Sequence, residues 1–315
     1  MTQTRIVLPD VHIPFQDKPL LNVWLRHAAN LQPDGVDILG DVIDAFQLSR
    51  FDKNPARKHT IQDEADMAHA FLSQVRDAVG PTCDLRYSEG NHENRLTRTL
   101  WGKARELEPI RNLRIPQLLG LDKLGVVYHP SSLPYQLGGL TVIHGDVARK
   151  SNWSNAYGGS AAQAVCKVKH VNILMGHTHQ MGHVCYRSWE KQIEGWECGC
   201  LCRFDMDYLV GTPQWQQGWA VIKLLPRNLF DISFVRVLDC GKKRVIVHNG
   251  EILDEICGGF HHGKRRLLPP CGQGEVRCQL RPNLRAKKVE RSKRRGQGRT
   301  RRPKIKGPGR HGAPK

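Results

Sequence analysis

VNILMGHTH, residues 171–179, is an apolar run that stops at a glycine and then delivers two imidazoles, His177 and His179, one residue apart. The run has the length and the β-branched content of a buried strand, and Gly176 punctuates its end. Two histidines in one loop carry little weight alone, so the rest of the chain has to decide. Toward the N-terminus the same punctuation recurs. RIVL (5–8) leads into Pro9-Asp10 and His12, and GVDIL (35–39) into Gly40-Asp41 and Asp44. DLRY (84–87) leads into Glu89-Gly90-Asn91-His92, and LTVI (140–143) ends at His144. Five predicted strand ends each deliver polar residues.

Helices are expected between these strands. One spans about 18–31. A second spans 61–79, where Ile61, Ala65, Ala68, Leu72, Val75 and Val79 repeat at steps of three and four until Gly80-Pro81 stops them. A third starts near Glu93, with Asn91 available as a cap. Strands alternating with helices predict an α/β architecture, and such sheets bind ligands beyond the carboxyl ends of their strands. After His179 the pattern changes. HVCYRSWE (183–190), QIEGWECGCLC (192–202), GWAVIKLL (218–225), FDISFVRVL (230–238) and RVIVH (244–248) read as successive strands. They are expected to be antiparallel and to complete a second sheet.

Charge is distributed unevenly. The chain carries 48 Lys and Arg against 30 Asp and Glu, yet 19 of the basic residues and only 2 of the acidic ones lie between Lys264 and Lys315. The body is therefore near neutral, and the charge is a statement about partners. The tail, rich in Arg, Lys, Gly and Pro, is expected to be disordered. The domain reading is a body over 1–256 and a basic tail over 257–315. Such an arm binds nucleic acid through phosphate contacts, with little sequence specificity. It lacks interleaved aromatics, so it does not itself predict base stacking.

No run of 18 apolar residues predicts a membrane span, and MTQTRIVLPDVH has no secretory pattern. Ten cysteines at irregular spacing then read as mostly reduced thiols of a cytoplasmic protein, in the host cytoplasm if the chain is viral. Cys198, Cys200 and Cys202 alternate, so a strand would put them on one face as small buried hydrophobes. Cys257, His261, His262, Cys271 and Cys278 match no zinc-site spacing. Trp189, Trp196, Trp215 and Trp219 are expected to pack in the core or cover a sheet.

The strand ends collect Asp10, His12, Asp41, Asn91, His144, His177 and His179. These are oxygen and imidazole donors, suited to divalent or trivalent ions such as Mn, Fe, Zn or Ni, with Mn favoured. They exceed what one tetrahedral zinc needs. They fit two metals sharing a carboxylate, about 3.5–4 Å apart, which can clamp a phosphate and activate water.

The blocks DVH (10–12), GDVID (40–44), GNHE (90–93), HGD (144–146) and GHTH (176–179) resemble the calcineurin-like metallophosphoesterases, in that family's order. The resemblance covers about residues 4–180 and is nearest the small prokaryotic and bacteriophage members. It implies a four-layer α/β/β/α sandwich. It implies that Asp10, His12 and His179 hold one metal and that Asn91, His144 and His177 hold the other. Asp41 would bridge them, and a metal-bound hydroxide would be the nucleophile. It implies that His92 is the general acid, oriented by Asp44. Arg95 and Arg98 lie just after GNHE and are candidates for phosphate contact, with Arg95 and Asn91 as the substrate-binding pair. Gly40, Gly90 and Gly176 would let the backbone turn into the site. One departure matters. Protein serine/threonine phosphatases carry arginine directly after GDxxD, whereas Ala45 follows Asp44 here, which argues against that subclass. The expected activity is a metal-dependent phosphodiesterase or nuclease acting on DNA or RNA. The alternatives are a phosphomonoesterase or nucleotide phosphatase whose tail serves localisation, and a nucleic-acid-binding protein on an inactive scaffold.

Overall fold

The short apolar runs become strands whose side chains alternate between two cores. A computed structural model describes residues 2–147, 157–209 and 213–258. In it β1 (Gln3–Leu8), β2 (Gly35–Ile38), β3 (Asp84–Ser88) and β4 (Val126–His129) pair in parallel, with Ile6 opposite Val36 and Val36 opposite Leu85. A second, five-stranded sheet contains β5 (Tyr135–Leu137), β6 (Leu140–Ile143), β7 (Asn172–Met175), β8 (Met181–Arg187) and β9 (Gln192–Cys198), in the order β5-β6-β7-β9-β8. Then β10 (Gly218–Leu224), β11 (Phe230–Asp239), β12 (Lys243–His248) and β13 (Glu251–Cys257) return to the first sheet. They run outward from β1 as an antiparallel meander, giving β13-β12-β11-β10-β1-β2-β3-β4.

The later strands thus depart from the sequence expectation. Only β8 and β9 join the second sheet, and β9 runs parallel to β7. The other four extend the first. The reason lies in β10, which is apolar on both faces. Trp219 and Val221 join one core while Ala220 and Ile222 join the other, as a strand held between two neighbours and covered on both sides requires.

Three cores define four layers. Helices α1 (Lys18–Leu31), α2 (Ile61–Val79), α3 (Asn94–Lys103) and α4 (Ile115–Leu118) pack on the outer face of the first sheet, with Leu20, Trp24, Leu72 and Leu96 against Ile6, Leu8, Ile38 and Leu85. Between the sheets lie Val7, Leu39, Leu140, Val142, Leu174 and Trp196. Helix α5 (Ser160–Lys169) covers the far side through Ala162, Val165 and Cys166 on Ile173 and Met175. The fold is the α/β/β/α sandwich. Helix α1 starts at Asp17, whose carboxylate accepts from Leu20 N at 3.1 Å, and α2 starts at a Thr60–Asp63 capping box. The zinc-knuckle candidates His261, His262, Cys271 and Cys278 lie outside the described residues, as does the tail that follows Gly258.

A buried ion pair ties the parallel strands together below the site. Arg5 Nε donates to Asp37 at 2.7 Å and its Nη1 to Asp84 at 2.9 Å, while Tyr135 of the second sheet donates to Asp37 at 2.8 Å. Gly35 makes room for it, since a Cβ there would sit 2.1 Å from Arg5 Nη1. Removing the cation leaves Asp37 buried and uncompensated. Arg5→Ala is therefore expected to destabilise the fold by about 3–5 kcal/mol, read as a lower urea midpoint. A midpoint unchanged from wild type would refute this.

Candidate metal centre

The site forms where the loops after β1, β2, β3, β6 and β7 meet. Its first group is Asp10, His12 and His179. His12 Nε2 lies 3.0 Å from His179 Nε2, and His179 Nε2 lies 3.5 Å from Asp10 Oδ1. Its second group is Asn91, His144 and His177. His144 Nε2 lies 3.3 Å from Asn91 Oδ1 and 3.1 Å from His177 Nδ1. Asp41 stands between them, its Oδ2 3.2 Å from His144 Nε2 and 3.8 Å from His12 Nε2. All seven donor residues are brought together, six of them buried and Asn91 half-buried.

The donor set fits cations. His144 Nδ1 donates to Leu39 O at 2.6 Å, so Nε2 is the atom that faces His177 Nδ1 and Asp41; burial disfavours the imidazolium, but Asp41 outweighs it and pushes the group up to about 10. The site thus favours positive charge beside Asp41, as a proton on the imidazole or as a cation in its place. Burial alone would raise the Asp41 carboxyl, but His144, His92 and His12 outweigh it and hold the group well below the usual carboxylate range. Burial likewise opposes ionisation of Asp10, and His179 outweighs it; Asp44 is held low by His12 and His92. Three carboxylates therefore converge in a desolvated space, and buried charge of one sign requires partners.

The backbone here is strained. His12, Asp41, His177 and His179 have φ of 52°, 48°, 68° and 56°, in the left-handed region that costs a non-glycine residue about 1–2 kcal/mol. Each is held by its surroundings. His12 N donates to Asp41 O at 2.9 Å, His177 N to both Asp10 oxygens at 3.0 Å, and Gln216 N to His179 O at 2.8 Å. Asp41 is held by Glu93, which has no solvent exposure. Glu93 Oε2 accepts from Asp41 N (2.9 Å) and Gly90 N (3.0 Å), and Oε1 from Val42 N (2.8 Å) and the Tyr87 hydroxyl (2.7 Å). Glycine serves differently along these loops. Gly40 does turn with a positive φ of 87°. Gly90 and Gly176 are instead spaces for carboxylates, because a Cβ would sit 2.1 Å from Asp41 Oδ1 and 2.3 Å from Asp10 Oδ2.

His92 sits at the rim. Its backbone N donates to Asp41 Oδ1 at 2.9 Å, and its Nδ1 lies 2.8 Å from Asp44 O and 3.2 Å from Asp44 Oδ1. Burial lowers the imidazolium, but Asp41 and Asp44 outweigh it and raise the group overall. Arg95 reaches the same ring from α3. Its Nη2 lies 3.0 Å from His92 Nε2, and its Nη1 donates to Asp44 O at 2.6 Å.

Several contributors escaped the sequence reading. Tyr208 donates to Asp44 Oδ1 at 3.1 Å, and Arg57 places Nη1 3.6 Å from Asp44 Oδ2 with its guanidinium 3.6 Å from the Phe46 ring centre. Trp215 packs against His179 with ring centres 4.1 Å apart. Cys200 and Cys202 lie behind His179 with Phe15 and Met206, while Cys198 enters the inter-sheet core, so the three do not share one environment. His183 stacks on Trp196 and pairs with Glu194 at 2.8 Å, away from the donors.

No family model matches the chain. The chain is 28% identical to the gene 54 protein of Mycobacterium phage L5 over 238 residues, covering 70% of this chain and 89% of that protein. Among solved structures it is similar to a metallophosphoesterase from Sphaerobacter thermophilus (TM-score 0.39, 17% identity, 76% of this chain and 89% of that one). It is also similar to Vacuolar Protein Sorting 29 from Cryptosporidium parvum (TM-score 0.41, 14% identity, 81% and 98%). The motifs that carry the sequence resemblance to the calcineurin-like metallophosphoesterases are thus the ones whose donors the strand ends bring together.

Proposed function

We propose that the chain is a metal-dependent phosphodiesterase that hydrolyses nucleic acid. The observation that carries the hydrolase reading is the convergence of Asp10, Asp41, Asn91, His12, His144, His177 and His179 within hydrogen-bonding distances, with His92 and Arg95 at the rim. Two cations held there would supply Lewis acidity toward the phosphoryl oxygens and a water activated at neutral pH. Asp10, His12 and His179 would hold one, Asn91, His144 and His177 the other, and Asp41 would serve both.

The protein's own groups then do the rest. Arg95 turns from His92 Nε2 to the phosphodiester oxygens, where a guanidinium matches the anion's geometry. That frees Nε2, which takes up a proton from solvent and passes it to the departing oxygen as the P–O bond breaks. Asp44, on Nδ1, fixes the ring and stabilises its charged form. Tyr208 and Arg57 hold Asp44 in turn. Asn91 contributes an amide on the substrate side. The nucleic-acid part of the reading is supported by the 19 basic residues between Lys264 and Lys315, a charge that polyphosphate substrates neutralise.

The test compares bis-p-nitrophenyl phosphate with p-nitrophenyl phosphate, with manganese supplied. The diester is expected to turn over faster, and EDTA is expected to abolish turnover, with recovery on adding manganese back. Preference for the monoester would replace this reading with a phosphatase. Persistence of activity in EDTA would remove the metal from the chemistry.

A further inference from the structure

The surface that leaves His92 along α3 is basic, continuous with the site and carries an exposed indole. Residues 94–114 hold Arg95, Arg98, Lys103, Arg105, Arg111 and Arg114 against Glu106 and Glu108. Arg95 touches the His92 ring. One turn on, Arg98 is exposed and donates to Asn94 Oδ1 at 3.0 Å. One turn further, Trp101 is 59% exposed, and Arg105 Nε donates to its carbonyl at 2.8 Å. Glu108 lies 3.8 Å from Arg114 at the far end. Among the described residues, no carboxylate lies within ion-pair distance of Arg95, Arg98, Lys103 or Arg105.

The helix itself is anchored by Leu96 and Leu100, which face the core. Trp101, by contrast, stands largely in water on the same helix, one turn after Arg98, and its carbonyl accepts from Arg105. Cations that track a backbone, interleaved with an aromatic that stacks on base faces, form the general platform for single strands. We infer that Arg98, Trp101 and Arg105 form a track that binds single-stranded nucleic acid and leads it to the site through Arg95. Charge complementarity and direct continuity with His92 name the occupant. A single strand is favoured over a duplex because only unpaired bases expose a face to the indole. DNA and RNA share the phosphates and the base faces that such a track reads. This inference rests on the phosphodiesterase reading above and names its substrate.

The test measures anisotropy of a short end-labelled oligothymidylate with the full chain in EDTA, which prevents cleavage. Trp101→Ala and Arg98→Glu are each expected to weaken binding by at least roughly tenfold. Trp189→Ala, which removes a fully exposed indole elsewhere, is expected to leave affinity within twofold, or about that. Affinity unchanged in both track variants overturns the inference, as does an equal loss for Trp189→Ala. An equal loss on a duplex of the same length also overturns it, since that would mark a charge effect without stacking. Failure of the phosphodiesterase reading shows separately, as wild type that does not hydrolyse bis-p-nitrophenyl phosphate with manganese.

Discussion

His92→Ala is expected to slow hydrolysis of an unactivated DNA diester by about 10²–10⁴-fold, while both metals still bind. The proposed role rests on how the ring is held. Its Nδ1 is committed to Asp44, and its Nε2 faces outward to Arg95. It is no nearer than 3.8 Å to Asp41 Oδ2, whereas His144 approaches the same oxygen at 3.2 Å. The metal content of the variant, measured by inductively coupled plasma mass spectrometry, should therefore equal that of wild type. A general acid matters in proportion to the basicity of the leaving oxygen. The loss should thus shrink on bis-p-nitrophenyl phosphate, whose phenolate leaves without a proton. This contrast separates proton transfer from structural damage, because damage would slow both substrates alike. Equal losses on the two substrates, or a missing metal, would refute the assignment. Asp44→Asn should show the same leaving-group contrast more weakly, since the ring would remain but lose the partner that holds its charged form.

The parts of this site that could be read from the chain are those whose chemistry sits within a few residues of a strand end. Asp10 and His12, Gly40 to Asp44, Gly90 to Glu93 and Gly176 to His179 are each short enough that order and punctuation carry the signal. The layers were legible for a related reason. Runs such as RIVL and LTVI are too short and too apolar to be anything but covered strands. What was not legible depends on pairing across the fold. Periodicity tells which face a residue takes, not which edge a strand joins, so β10 was expected in the wrong sheet until its antiparallel register with β1 placed Ile6 opposite Val221. Helix α5 was missed because SAAQAVCKVK is mostly small side chains, which suit a close approach to β9 but give little apolar signal. Glu93 looked like the first acid of a helix. Its work as a clamp on residues 41–43 exists only once two loops are adjacent. Arg57 and Tyr208 come from segments with no period at all, and their convergence on Asp44 is a tertiary fact. Trp101 was readable as a helix residue, yet only its exposure beside Arg98 gives it a role.

Asp41→Asn is expected to cost at least about 10³-fold in turnover and to remove the stabilisation that manganese confers, because one carboxylate serves both halves of the site. The substitution is nearly isosteric. Its Oδ1 can still accept from His92 N, as the wild-type oxygen does at 2.9 Å, and the Glu93 clamp on the backbone is untouched. What changes is Oδ2, which faces His144 Nε2 at 3.2 Å and His12 Nε2 at 3.8 Å. An amide there removes a negative charge and cannot offer lone pairs to two cations at once. A ligand that binds only the folded state adds stability of about 2.7 kcal/mol at a hundredfold excess over its dissociation constant. Wild type should accordingly melt several degrees higher with manganese than with EDTA, and Asp41→Asn should show little of that rise. The two readouts guard each other. A variant that misfolds would melt low in EDTA as well, whereas loss of the shared ligand leaves the metal-free melting temperature near that of metal-free wild type and flattens only the response to metal. Two metals bound as tightly as in wild type would show that Asp41 does not bridge them, and the division of the donors into two groups would have to be redrawn around Asp10.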